Sequence, residues 1–276
     1  MRLTETFEWS GRAIACARGG TGPDVVFCHG TPFSSRVWSR YADAFAAKYT
    51  VHLWDMPGYG ESSKHAGHRV DFGTQGAAFA ALLDHWGLSR PHVIAHDFGG
   101  AVALRAALGH GRDYASLMLV DVVAIPPSGS PFFRFVQRHP ELLGELPGYI
   151  HEAVVRAYIR GAAHGRLEPA QLDELVEPWL GSAGQSAFYR QIAHYDESFL
   201  VDDEAELGSL RMPTHVVWGE DDAWIPIGLG ERLARLLPDA AFTSVADAGH
   251  LIQYDAPVAL TSILAAWLET RADHPS

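Results

Sequence analysis

Short apolar runs bounded by glycine, proline and acidic residues alternate with stretches of helical periodicity along most of this 276-residue chain. An opening hairpin is predicted at residues 3–7 and 12–18, then a buried strand at 25–28, a helix near 37–47, a strand reaching Asp55 and a helix over 72–86. A strand from His92, a helix over 99–108 and a strand over 116–123 continue the rhythm. It resumes late in the chain with strands at 214–219 and 240–245 and helices at 227–237 and 257–269. Strands separated by helices join through crossovers, so the fold class is α/β: a mostly parallel sheet with helices on both faces. Between them, residues 126–206 carry helical patterns only, broken by Gly and Pro. That stretch reads as an inserted helical cap on a core made of residues 1–125 and 207–276.

The chain is long enough for one such domain with an insertion, and 47% hydrophobic residues supply a packed core. A formal net charge of -12 without any Lys/Arg cluster opposes nucleic acid and anionic membranes as partners and suits a small neutral molecule. Two cysteines, Cys16 and Cys28, are too few for a disulfide scaffold or a thiolate metal site. The polar start "MRLTETFEWSGR" is unlike a signal peptide, and no apolar run reaches the length of a membrane span. A cytoplasmic monomer or homodimer is expected.

In "VIAHDFGGAVALRAAL" an apolar strand meets a helix at a turn whose tip is Asp97. The pattern around it has the shape of G-x-S-x-G, in which a strained turn lifts a nucleophile above a sheet, with the serine replaced by aspartate. On these residues alone the alternative is that Asp97 merely N-caps the helix, a common role for Asp. Two further polar punctuations follow strand ends, where open α/β sheets place their sites. They are "WGEDD", offering Asp222, and "DAGH", offering His250. Nucleophile, acid and histidine then occur in the chain order of the Ser…Asp…His hydrolases.

Five segments in order, "FCHGTP", "DMPGYGESS", "AHDFGG", "VVWGEDDAWIP" and "DAGHLIQYDAP", resemble the α/β-hydrolases over essentially the whole chain. Within that superfamily, Asp followed by an aromatic residue and two glycines resembles epoxide hydrolases and haloalkane dehalogenases. The resemblance implies Asp97 as nucleophile, His250 as base and Asp222 as its orienting acid. The backbone N–H groups of Thr31 and Phe98 would form an oxyanion hole, with His29 beside the pocket. Asp121, after the strand "LMLVD", is the rival acid, and Asp221 is set aside because the family's W-G-x-x-D pattern ends on Asp222. The chemistry suits a saturated carbon: a carboxylate attacking it leaves an ester that water can cleave, whereas an alkoxide would leave an inert ether.

The resemblance also bears on the leaving group. Dehalogenases hold halide with a Trp after the nucleophile and an Asn in the H-G-N-P loop; Phe98 and Thr31 stand there instead, leaving Trp179 as the remaining halide donor. Epoxide hydrolases protonate the opened ring with lid tyrosines. "SAFYRQIAHY" resembles that segment and nominates Tyr189, with Tyr149 or Tyr158 as the second. Epoxide hydrolysis to a diol is therefore expected, with dehalogenation next and a non-hydrolytic or ligand-binding use of the fold third. "GYGESS" lacks the third glycine of a dinucleotide loop, and "HEAVV" lacks the second histidine of H-E-x-x-H. No metal and no cofactor are expected.

Overall fold

The computed structural model describes residues 1–272. Eight strands, β1 (Glu5–Trp9), β2 (Arg12–Gly20), β3 (Asp24–Cys28), β4 (Thr50–Trp54), β5 (His92–His96), β6 (Ser116–Val120), β7 (Thr214–Gly219) and β8 (Ala241–Val245), form one sheet. Their order is β1-β2-β4-β3-β5-β6-β7-β8. The first two pairings are antiparallel and the rest parallel. Every residue of β5 and β6 is buried, as expected for strands covered on both faces.

Helices α1 (Ser39–Phe45), α2 (Phe72–Trp86) and α3 (Phe98–His110) lie in the first half of the chain. Six more, α4 (Pro131–Arg138), α5 (Pro140–Gly144), α6 (Gly148–Arg160), α7 (Pro169–Val176), α8 (Gly181–Ala193) and α9 (Ser198–Glu206), lie between β6 and β7 with no strand among them. The chain closes with α10 (Ile227–Leu236), α11 (Ile252–Asp255) and α12 (Pro257–Ala272). No helix among the described residues is long and apolar enough to cross a membrane.

Local chemistry explains the boundaries. Asp71 accepts the Thr74 N–H and starts α2, while Gly87, at φ 72°, ends it. The helix predicted near 37–47 begins instead as a 3-10 turn over Ser35–Trp38, capped by Ser34, before α1. β6 stops at Val120 rather than continuing to residue 123, because Asp121 takes a left-handed conformation at φ 45° and turns the chain out of the sheet.

Candidate active site

Three turns at the carboxyl ends of β5, β7 and β8 bring Asp97, Asp222 and His250 together. Asp97 sits between β5 and α3 at φ 49° and ψ -122°, a strained conformation for a residue with a side chain. Small neighbours make it possible: a Cβ on Gly30 would lie 2.2 Å from Asp97 Cβ, and one on Gly99 2.6 Å from the His29 carbonyl oxygen. Asp97 makes no side-chain cap to α3. Its Oδ1 instead accepts the Thr31 backbone N–H at 2.5 Å, and its Oδ2 lies 3.2 Å from His250 Nε2. A carboxylate used only as a helix cap would face the helix.

His250 Nδ1 lies 2.9 Å from Asp222 Oδ2. The other Asp222 oxygen accepts the N–H groups of Trp224 and Ile225 at 2.8 and 2.9 Å, which fixes the carboxylate plane. Burial by itself would lower the His250 pKa, but the flanking carboxylates of Asp222 and Asp97 overcome it and hold the imidazole pKa well above its ordinary value. Asp121 is also fully buried, with Oδ1 accepting the Gly219 N–H at 2.7 Å and Oδ2 without a partner. Burial and the Asp222 carboxylate raise its pKa, which favours the neutral acid. The imidazole is therefore bonded to Asp222, and Asp121 stands behind as a second carboxyl. His96, whose Nε2 lies 2.8 Å from the His250 carbonyl oxygen, braces the histidine's backbone; burial and the neighbouring His250 lower its pKa to about 3, keeping it neutral.

A cavity opens over Asp97. Phe98, Phe133, Trp224 and Ile225 give it an apolar wall, and Tyr158 and Tyr195 add two phenols. Tyr158 stacks on Trp224 with ring centroids 4.4 Å apart, and Tyr195 stacks on Phe98 at 5.7 Å. No Lys or Arg among the described residues lines it.

Residues 25–262 match the model of the alpha/beta hydrolase family. The chain belongs to that family. A solved alpha/beta hydrolase fold protein from Burkholderia ambifaria is 44% identical, covering 96% of this chain and 98% of that one with a TM-score of 0.94. A fluoroacetate dehalogenase from Burkholderia sp is 29% identical over 71% of this chain and 69% of its own. A 2-hydroxy-6-oxononadienedioate/2-hydroxy-6-oxononatrienedioate hydrolase from Pseudomonas sp is 27% identical over 86% of this chain and 84% of its own. Family and histidine–aspartate network together make the protein a hydrolytic enzyme for a small organic substrate.

The hydrolase places several expected pocket residues elsewhere. Tyr189 is buried away from the cavity, its hydroxyl 3.0 Å from His151 Nδ1. Tyr149 is 74% exposed on the outer side of α6. Trp179 is buried with its Nε1–H donated to the Pro32 carbonyl at 2.6 Å, so it has no proton left for a halide. His29 is fully buried and accepts the Met56 N–H on Nε2, with Nδ1 2.9 Å from the Gly30 carbonyl oxygen; it shapes the turn rather than the pocket. Tyr158 does line the cavity, as do Thr31 and Phe98. Sequence reasoning missed Tyr195, Phe133, Trp224 and His96. Tyr195 ends the very segment that nominated Tyr189, and His96 adjoins Asp97. Of the two cysteines, Cys28 is fully buried and its thiol is pushed up to about 12 by that burial, consistent with an inert core residue.

Proposed function

We propose that this hydrolase opens neutral epoxides to diols through a covalent ester on Asp97. The observation that carries the reading is the pair of tyrosines, Tyr158 and Tyr195, in the wall of a mostly apolar cavity over the Asp97 carboxylate that no Lys or Arg among the described residues lines; the Tyr195 hydroxyl is hydrogen-bonded to that of Ser128, also in the wall. One Asp97 oxygen attacks a ring carbon, the ring C–O bond breaks, and the departing alkoxide takes a proton from a tyrosine. Burial raises the Tyr195 pKa to about 12 and raises that of Tyr158 as well, so both phenols still hold their protons at neutral pH. An alkoxide is more basic still.

Esterification turns an anion beside His250 into a neutral group. One of the two carboxylates that raise the imidazole pKa is thereby lost, so the imidazolium gives its proton to the tyrosinate and His250 becomes able to accept another. It then takes one from water, which adds to the acyl carbon; the N–H groups of Thr31 and Phe98 would hold the oxyanion until the diol leaves and the carboxylate returns. The substrate gains one water overall, the second water proton leaves with the diol, and His250 ends as the imidazolium it began as.

A second reading is halide release, supported by the likeness to the Burkholderia dehalogenase and by the Trp224 indole in the wall. For a carboxylate such as fluoroacetate the cavity offers no Lys or Arg among its described residues. The test is a panel of neutral terminal and aryl epoxides, bromoalkanes and fluoroacetate, with diol and halide measured separately. Diol formation should dominate, and Tyr158→Phe and Tyr195→Phe should each lower it, by about 10²-fold for a general acid. Halide release without diol would overturn the epoxide assignment.

A further inference from the structure

The turn that carries Thr31 is held from two sides. Below it, the Thr31 N–H is 2.5 Å from Asp97 Oδ1. Above it, Gln191 of α8 accepts the Thr31 hydroxyl on Oε1 at 2.5 Å and the Tyr59 hydroxyl at 3.0 Å. The next residue is anchored in the same way, by the Trp179 Nε1–H on the Pro32 carbonyl. Helical insertion and sheet thus meet at two consecutive residues of the turn facing Asp97.

Gln191 is 1% exposed, and its Nε2 has no hydrogen-bond partner. An apolar side chain would fill this position without leaving a buried amide nitrogen unsatisfied. What glutamine adds is an acceptor for two hydroxyls, and it takes the single side-chain proton that Thr31 has. With that hydroxyl tied to α8 and the following carbonyl tied to Trp179, the Thr31 peptide has little freedom to tilt. Its N–H stays aimed at the carboxylate oxygen on which negative charge must build during ester cleavage. Donors of this kind act through preorganisation, so a small loss of aim is felt in rate.

We propose that Gln191 is a positioning residue that fixes the Thr31 amide on Asp97 and thereby controls the rate at which the ester intermediate is cleaved. The inference rests on Asp97 being the nucleophile. Two readouts test it on the full-length protein. The first is the Thr31 amide proton resonance, which a short bond to a carboxylate shifts far downfield in the resting enzyme and which Gln191→Leu should move upfield. The second is decay of the Asp97 adduct with styrene oxide in a single turnover, followed by mass; Gln191→Leu should slow it about 10-fold, less than complete loss of an oxyanion donor costs.

Thr31→Val deletes the same contact from the other side, leaves the Gln191–Tyr59 bond in place and should slow decay comparably. The double variant should be no slower than either single one, because both remove one interaction. An unmoved Thr31 amide in Gln191→Leu, or effects that multiply in the double variant, overturns the assignment. If no adduct forms on Asp97 even in His250→Gln, the nucleophile reading fails instead, and an upfield shift in Gln191→Leu would still uphold the Gln191–Thr31 coupling.

Discussion

Two buried carboxyls stand behind His250, and they differ in what they hold. Asp222 is bonded to the imidazole and to two backbone N–H groups, so Asp222→Asn should leave the fold intact and lower turnover by about 10⁴-fold, the scale seen when a triad histidine loses its orienting acid. Asp121→Asn should cost far less activity and should change stability with pH. Burial and Asp222 raise the Asp121 pKa, so the folded chain keeps a proton that the unfolded chain releases near pH 4. Wild-type stability therefore falls as pH rises from there toward the folded-state pKa, while the asparagine variant lacks that slope. Thermal melts should show Asp121→Asn gaining on wild type as pH rises above about 4; parallel curves would mean that Asp121 ionises normally. For His250 the sign concerns the reaction. Its raised pKa belongs to the resting enzyme, and the ester form should titrate lower, so adduct decay should remain fast at pH values where NMR still reports imidazolium in the free protein.

Elements meet at glycines whose cost can be separated by position. In α3, a Cβ on Gly100 would lie 2.4 Å from Val122 Cβ, whereas one on Gly109 meets nothing within 4 Å. Gly100→Ala should destabilise by about 1–3 kcal/mol through overpacking, and Gly109→Ala should stabilise by up to about 1 kcal/mol through helix propensity. Chemical denaturation distinguishes the two signs. The same scale explains what the sequence revealed. The α2 and β7 spans follow from capping and from apolar runs, so 72–86 and 214–219 are legible residue by residue. The inward faces of the inserted helices are not, because they depend on how the insertion docks. Tyr149 and Tyr158 sit nine residues apart on α6, which is half a turn at 100° per residue, so only one can face the cavity. Tyr189 lies within α8, but Tyr195 lies beyond its last residue, Ala193, where helical periodicity no longer places a side chain. Asp97, Asp222 and His250 were legible because each follows a strand end, a position set by the sheet itself.

At the level of the whole molecule, β6 and β7 are adjacent and parallel although α4–α9 separate them in sequence. One crossover thus carries the entire insertion and hangs it beside the strand ends, with Tyr158 and Tyr195 over Asp97. The protein bears a formal charge of -12, while the cavity wall holds no Lys or Arg among the described residues. That combination governs encounter as well as fit. A neutral molecule diffusing to the mouth feels almost no long-range field, so its kcat/KM should stay flat from low to high ionic strength. An anionic one is repelled at a distance, and added salt should raise its kcat/KM by screening that repulsion. The surface charge would then act as a sieve on solutes before any of them reaches Asp97.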